Sequence, residues 1–297
     1  MAQVTQDARR DWPRPGRLTR LGRTVLLHAI LLGATAATMY PVLWVLKMAL
    51  SPSQSFALSP TPWPTTVSLD NFRDVLFTRN ASGQLLFLRQ LFNSVVVSAA
   101  VTVVGVAFSC SAAYALSRFR FPGRKTSLRV FLFAQMFPGV VTTIPLYIIL
   151  EKLHLLDHLG GLVLCYATTT IPFCVFMLKG FFDSLPRELE EAVMLDGGTR
   201  FDAFFRVALP LCRPALAVTA LFAFLSAWNE FILAATFMSR PQSYTLPVML
   251  NHYVGDYSTE WGHFAAGAVL VSVPVMVLFF ALQRHLIGGI TQGSVKG

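Results

Sequence analysis

Six long apolar stretches constrain the fold of this chain more than any other feature of its sequence. They cover residues 25–46, 93–116, 130–150, 159–178, 214–237 and 264–286. Each has roughly the 20 residues that an α-helix needs to cross the hydrocarbon core of a bilayer. The segments between them hold most of the charges, prolines and glycines. We therefore predict an all-α, polytopic integral membrane protein with six transmembrane helices.

The composition agrees with this prediction. Of the 297 residues, 54% are hydrophobic and only 13% are charged, whereas about a quarter of an average soluble domain is charged. So apolar a chain would collapse in water, which excludes an intrinsically disordered protein. The four cysteines, Cys110, Cys165, Cys174 and Cys212, form no C-x-x-C pair. Their spacing therefore indicates neither a disulfide framework nor a zinc site.

The basic residues predict the orientation of the spans. The net charge is +9, and in a membrane protein such an excess usually sets topology, so we predict no nucleic-acid partner. Most of the 24 Lys and Arg residues lie in segment 1–24, in the loops after the second and fourth stretches, and near the carboxyl terminus. We expect these segments, and hence both termini, to be cytoplasmic. The chain then divides into a cytoplasmic segment 1–24, a six-span membrane domain 25–287 and a cytoplasmic tail 288–297.

The first stretch has a second interpretation. Ala34-Thr35-Ala36 resembles the cleavage site of a signal peptide. The apolar run continues past this site, however, and the charged leader is long, so we predict a membrane span instead.

Loop 184–214, on the predicted cytoplasmic side, has the most distinctive pattern. Pro186 and the acidic residues that follow favour the start of a helix, because carboxylates stabilise the positive end of its dipole. Gly197-Gly198 then ends this helix. Thr199 and Asp202 have the spacing of a capping box that starts a second helix. Its phenylalanines indicate either a surface connector packed on the protein's own helices or a docking surface.

The same loop carries a family resemblance. Glu191-Ala192-Val193, followed by Asp196-Gly197 and, nine residues later, by Val207-Ala208-Leu209-Pro210, resembles the "EAA" loop of permeases from bacterial binding-protein-dependent ABC importers. It departs from that pattern at Val193 and Val207, and both substitutions stay small and apolar. Segment 114–123 is similar to the loop after the second span of sugar-importing permeases. Segments 135–138, 243–246, 261–266 and 293–297 are similar to the smaller pore subunit of maltose importers.

The resemblance implies partners and sites. In such permeases the EAA loop couples the membrane subunit to a dimeric cytoplasmic ATPase, which binds ATP and Mg²⁺. The implied ATPase-coupling residues are Glu190, Glu191, Ala192, Asp196, Gly197, Phe201, Phe204, Phe205, Leu209 and Pro210. The implied ATPase contacts in the tail are Ser294, Val295, Lys296 and Gly297. The implied contacts with an extracytoplasmic sugar-binding protein are Tyr253, Asp256, Tyr257 and Trp261.

The resemblance also implies a function. The chain would be a non-catalytic subunit in the bacterial inner membrane that forms half of a sugar pathway with a homologous second permease. Maltose and maltodextrins are the implied substrates, with trehalose, lactose and glycerol-phosphate as alternatives. The sequence itself lacks the G-x-x-x-x-G-K-[ST] motif that holds ATP phosphates, so we expect no cofactor and no metal on this chain.

Polar residues inside the apolar stretches are candidates for the pathway. Glu230 lies in the fifth stretch, where an ionised side chain is costly and is a functional candidate by default. Asn229 lies beside it, and Gln135 lies in the third stretch. The alternative is that these groups satisfy one another across helix contacts. The aromatic residues of loop 238–263 are similarly open to two interpretations, an interfacial belt or a surface that contacts a sugar or a protein.

Two other classes of protein remain as alternatives. His154, Asp157 and His158 loosely resemble an inverted zinc-protease motif, although Asp replaces Glu and no third ligand is evident. A secondary transporter needs coupling-ion sites and usually has broken helices in paired halves. Four prolines are positioned to break spans, namely Pro138, Pro145, Pro172 and Pro274, but the sequence shows no paired halves.

Overall fold

The computed structural model describes residues 17–56, 59–255 and 258–293, with side chains over 22–56, 59–255 and 258–283. Within these ranges the chain is mostly helical, and it contains two isolated β-bridges but no β-strand. The all-α fold class is thus confirmed.

Twelve helices follow one another in the described ranges. They are α1 (Arg17–Ala49), α2 (Asp70–Phe77), α3 (Leu86–Arg118), α4 (Arg124–Met136), α5 (Gly139–Lys152), α6 (Leu159–Ser184), α7 (Glu188–Leu195), α8 (Arg200–Leu211), α9 (Arg213–Trp228), α10 (Ile232–Phe237), α11 (Leu246–Asn251) and α12 (Trp261–Gly293). A short 3₁₀ turn, Pro241–Ser243, lies between α10 and α11.

Four of these helices are long and apolar enough to cross a bilayer without interruption. They are α1 from Gly22 onward, α3, α6, and α12 as far as Gln283. Two further pairs qualify only as bent units, α4 with α5 and α8 with α9. The described part of the chain therefore has four unbroken candidate spans, or six if each bent pair counts as one span.

The third apolar stretch, 130–150, does not form one continuous helix. Helix α4 ends at Met136, α5 begins at Gly139, and the two are bent by about 100°. Phe137 and Pro138 between them have extended backbone, with ψ of 127° and 129°. Proline has no N–H to donate, and its ring disfavours helical geometry in the residue before it. The other three prolines of the set lie inside α5, α6 and α12.

The fifth apolar stretch, 214–237, is interrupted as well. Helix α9 ends at Trp228, and α10 begins only at Ile232. The Glu230 carboxylate accepts hydrogen bonds from the backbone N–H groups of Leu233 (2.9 Å) and Ala234 (3.2 Å). Because these N–H groups belong to the free start of α10, the side chain replaces the carbonyl acceptors of a continuous helix.

The core has three parts along the bundle, and α3 takes part in all of them. One cluster, which includes Tyr114 and Phe182, joins α3, α6, α8 and α9 next to loop 184–214. A middle cluster joins α3, α5, α6, α9 and α10. A third cluster, which includes Trp228 and Leu246, lies at the opposite end, where α1, α2 and α12 meet α3, α9 and α11. The most extensive helix–helix contact in the described chain is that between α3 and α6.

Candidate coupling loop and pathway residues

Loop 184–214 folds as two short helices joined by a tight turn. Helix α7 ends in a turn where Gly197 has φ of +87°, a left-handed conformation that favours glycine. The N–H of Gly198 donates to the carbonyl of Val193 (2.9 Å). A Cβ atom at Gly198 would lie 2.9 Å from that same carbonyl oxygen. Both glycines are therefore required by the turn, the first by its φ and the second by its close packing.

The predicted capping box is present at the start of α8. The Thr199 hydroxyl oxygen accepts from the N–H of Asp202 (3.2 Å), and the Asp202 carboxylate accepts from the N–H of Thr199 (2.9 Å). The hydrogen bonds from Thr199 lower the pKa of Asp202 below its ordinary value. The turn thus holds the start of α8 in a fixed geometry relative to α7.

Helix α8 is not a regular α-helix throughout. Residues Ala203–Ala208 form a π-helical segment, in which the N–H of Leu209 donates to the carbonyl of Phe204 five residues earlier. Pro210 follows directly and has no N–H to offer the preceding turn. A wide turn at this point changes which phenylalanines face inward.

Three large apolar residues of the loop are more than half exposed. Phe201 is 77% exposed, Phe205 is 58% exposed, and Leu195 is 88% exposed. Glu191 beside them is exposed as well. We call these four residues the phenylalanine face. Among the other predicted coupling residues, Ala192, Asp196 and Gly197 are also exposed.

Phe204, by contrast, packs inward. Its ring centroid lies 4.6 Å from that of Tyr114 on α3 and 6.5 Å from that of Phe182 on α6. The predicted coupling residues Leu209 and Pro210 are half-buried. An apolar cavity of about 280 Å³ separates part of α3 from α8, and its walls include Ala115, Phe119 and Phe201.

The structure places Glu190 in the interior of the chain and not on the phenylalanine face. Its carboxylate accepts a hydrogen bond from Arg118 Nε (2.6 Å) and another from the Tyr114 hydroxyl (2.8 Å). Both charged side chains are nearly buried, with exposures of 7% for Arg118 and 10% for Glu190. Glu190 therefore forms an internal ion pair with Arg118, whereas the resemblance implies that it contacts an ATPase. Tyr114 and Arg118 are four residues apart on α3, which puts them on one face, but the sequence does not reveal which acid they meet.

The predicted pathway residues lie at the two helix interruptions. Gln135 is near the end of α4, and its amide donates to the carbonyl of Thr169 on α6 (3.0 Å). Asn229 donates to the carbonyl of Leu225 in its own helix (2.9 Å), and Glu230 caps α10. Irregular backbone at membrane depth is stable only where protein or a water-filled cavity surrounds it. The polar side chains of Gln135, Asn229 and Glu230 thus accompany the two breaks in regular helix.

A cavity adjoins the first of these interruptions. Its volume is about 450 Å³, and Gln135, Thr142 and Thr169 supply polar atoms to a lining that is otherwise mostly apolar. Thr168 and Thr169 also bond to carbonyls of their own helix. The polar part of this cavity lining is thus supplied by α4, α5 and α6.

At the opposite end of the bundle, Tyr253 and Trp261 are half-buried. The Trp261 ring meets Phe56 edge-on at 5.1 Å, and Tyr253 lies 5.6 Å from the ring of His263. Burial raises the pKa of the Tyr253 hydroxyl above its ordinary value. Asp256, Tyr257 and the tail residues 294–297 lie outside the described residues.

The zinc-protease alternative finds no support in the described residues, which contain no cluster of three or more metal-ligand side chains. The Asp157 carboxylate is instead engaged with the chain itself. It accepts from the backbone N–H of Ser239 (2.7 Å) and Arg240 (3.2 Å). The Asp157 carboxylate therefore fixes the backbone at Ser239 and Arg240.

Comparison with known proteins decides the family. The family described as "Binding-protein-dependent transport system inner membrane component" matches residues 105–292. The chain belongs to this family. The permease is 36% identical over 260 residues to the sulfoquinovosyl glycerol transport system permease protein SmoH of Agrobacterium fabrum, covering 87% of this chain and 89% of the relative. It is 35% identical over 288 residues to the maltose/maltodextrin transport system permease protein MalG of Escherichia coli, covering 93% and 96% of the two chains.

A solved structure confirms the fold. A bacterial ABC transporter involved in the import of the acidic polysaccharide alginate contains a chain that matches this permease with a TM-score of 0.74 at 23% identity. The match covers 92% of this chain and 99% of the other. The permease therefore has the fold of an ABC importer membrane subunit, and as a multi-pass permease subunit it is not itself an enzyme.

Proposed function

We propose that this permease is the membrane subunit of an ATP-driven sugar importer and that its phenylalanine face docks on a separate cytoplasmic ATPase dimer. The observation that carries the proposal is the exposure of Leu195, Phe201 and Phe205 on a loop fixed by two glycines and a capping box. Exposed apolar groups on a rigid element favour burial in a partner's groove. Glu191 beside them supplies a charge that sets orientation more than affinity.

The proposed mechanism follows from where ATP binds. The permease has no phosphate-binding motif, so movement has to be delivered to it by contact with the ATPase. Closure of the ATPase dimer would displace α7 and α8, which are anchored to α3 and α6 through Glu190 and Phe204. A homologous second permease completes the pathway, and an extracytoplasmic binding protein delivers the sugar to the opposite end.

The substrate class is a sugar, and maltodextrins are the first member that we propose. Relatives named for maltose/maltodextrin and for sulfoquinovosyl glycerol are 35% and 36% identical to this chain, so overall similarity does not rank the sugars. Gln135, Asn229 and Glu230 are the polar groups that we propose for the pathway. Amide groups suit sugar hydroxyls because they both donate and accept hydrogen bonds, and a carboxylate accepts hydrogen bonds from hydroxyls.

Reconstitution tests the proposal. The permease is assembled in proteoliposomes with its ATPase, second permease and binding protein, and ATP hydrolysis is measured against maltodextrins, trehalose, lactose and glycerol-phosphate. We expect hydrolysis and uptake to rise together with one carbohydrate. Uptake that continues without ATP but follows an ion gradient would instead establish a secondary transporter.

The docking step has its own test. Glu191→Lys reverses a charge on the phenylalanine face, whereas Glu188→Lys reverses the charge of another exposed acid on the same helix. We expect the first variant to lose ATPase co-purification and uptake and the second to retain more of both. Equal, unimpaired co-purification in both variants would overturn the docking assignment.

The proposed orientation places both termini in the cytoplasm. Tags at either end should be inaccessible to impermeant reagents in intact cells. A labelled external amino terminus would contradict the orientation without affecting the docking proposal.

A further inference from the structure

Helix α3 carries buried polar side chains at both of its ends, and each group binds a different functional region. Its carboxyl-terminal end binds loop 184–214, which we call the coupling loop. Its amino-terminal end binds the 238–251 segment at the opposite end of the bundle. About 30 Å of helix separate Ser94 from Tyr114 at the usual rise per residue, which matches the thickness of the hydrocarbon core. One rigid element thus joins the two faces of the membrane domain.

At its carboxyl-terminal end, α3 forms hydrogen bonds with the coupling loop. Tyr114 and Arg118 both donate to the Glu190 carboxylate. Arg118 also donates from Nη2 to the carbonyl of Leu185 (3.0 Å), at the junction between α6 and α7. The Ser117 hydroxyl donates to Asp183 at the end of α6 (2.7 Å). Displacement of α7 therefore pulls on charged, buried contacts with α3.

At the opposite end, side chains of α3 form hydrogen bonds with backbone groups of the 238–251 segment. The Gln90 amide donates to the carbonyl of Pro241 (2.9 Å). The Asn93 amide donates to the carbonyls of Gln242 (2.8 Å) and Tyr244 (3.0 Å). The Ser94 hydroxyl oxygen accepts from the N–H at the start of α11 (2.8 Å). All three α3 side chains are at most 3% exposed, so water cannot readily replace these bonds.

Between these ends, apolar packing keeps α3 straight and attached to the bundle. Val97 and Val101 lie in the middle core cluster. Gly105 faces α6, where an added Cβ would make ordinary van der Waals contact with Thr170 at 3.6 Å. The described α3 contains no proline and no break. A helix packed in this way moves as a unit, because close-packed interiors transmit displacement.

We propose that α3 is the strut that carries movement of the coupling loop to the 238–251 segment, with Glu190 and Asn93 as the positioning residues at its two ends. The inference rests on the proposed function, since it assumes an ATPase at the coupling loop. It adds the route by which the two faces communicate. Because 238–251 precedes the segment proposed to meet the binding protein, sugar delivery and ATP hydrolysis share one element.

The test measures ATP hydrolysed per sugar imported, in proteoliposomes that contain the full complex. Glu190→Gln removes the charge at one end, and Asn93→Leu removes two hydrogen bonds at the other. Each variant should assemble with the ATPase and hydrolyse ATP, but the ATP-to-sugar ratio should rise about tenfold, within the usual range of coupling between sites. Loss of a merely structural contact would lower the amount of complex and leave this ratio unchanged.

The double variant tests whether the two ends act through one element. If α3 is the strut, breaking the second end adds little, and the double variant keeps the ratio of the single variants. Independent sites would instead multiply their effects to about a hundredfold. Multiplied effects, or a wild-type ratio in either single variant, would overturn the proposal.

Two controls complete the design. Thr102→Val alters a polar residue of α3 whose hydroxyl bonds only to Ser98 in its own helix, so the ratio should stay at the wild-type value. If the stronger variants fail to assemble, Tyr114→Phe and Ser94→Ala each remove one hydrogen bond of 2.8 Å, and each should raise the ratio about threefold. An unchanged ratio in both would overturn the strut.

The wild-type complex separates this inference from the proposed function. A wild-type assembly without sugar-dependent ATP hydrolysis would contradict the proposed function itself. Normal wild-type transport together with normal ratios in the variants would contradict only the role of α3.

Discussion

Gly197 offers the most direct test of how the coupling loop is held. Its φ of +87° is left-handed, and no heavy atom lies within 4 Å of an added Cβ. Gly197→Ala therefore introduces conformational strain without a collision. A residue with a side chain in this conformation costs roughly 1–2 kcal/mol, which corresponds to a shift of about fivefold to thirtyfold in a conformational equilibrium. The affinity of the permease complex for its ATPase should fall by that factor.

Titration of the ATPase against the detergent-solubilised permease complex measures this loss. Gly197→Pro should abolish binding, because proline cannot adopt this φ and lacks the N–H that Gly197 donates to the carbonyl of Met194 (3.2 Å). Gly180→Ala is the matched control, since Gly180 lies inside α6 with open space around its Cβ position. Wild-type affinity in Gly197→Ala, or an equal loss in Gly180→Ala, would refute the reasoning.

Three further predictions concern the loop and the pathway. Phe201→Ala should weaken ATPase binding about tenfold or more, because exposed aromatic anchors dominate such interfaces. Phe204→Ala should instead lower the thermal stability of the permease, since this ring packs on Tyr114 and Phe182; equal binding losses and equal stabilities in the two variants would contradict the division. Thr199→Ala removes the hydroxyl that accepts the N–H of Asp202 and should cost about 1 kcal/mol, seen as faster amide exchange at Asp202, and unchanged exchange would argue against the cap. Gln135→Cys should react with a hydrophilic thiol reagent and be protected by transported sugar, while the four native cysteines, which are buried, react slowly; a Gln135→Cys that sugar leaves equally reactive would remove Gln135 from the pathway.

Local signals in the sequence accounted for the parts of the loop that depend on near neighbours. A capping box needs only Thr199 and Asp202, three residues apart, and a left-handed turn needs only glycine. The length of the apolar stretches likewise predicts the all-α class, because an apolar run of about 20 residues is typical of a membrane-spanning helix. The positions of the helix breaks within the third and fifth stretches do not follow from local sequence alone. Pro138 and Pro145 have the same chemistry, yet only the former breaks its helix.

Long-range pairing decided the rest. Glu188, Glu190 and Glu191 are alike in sequence, and which of them turns inward depends on where Tyr114 and Arg118 of a helix some 70 residues earlier come to lie. The hold of Gln90, Asn93 and Ser94 on the 238–251 segment joins residues about 150 positions apart. Short-range patterns determine helices and caps because local backbone conformation depends on residues that are close in sequence. Only the packed bundle determines which charge is buried, because burial depends on partners that the chain brings together after its helices form.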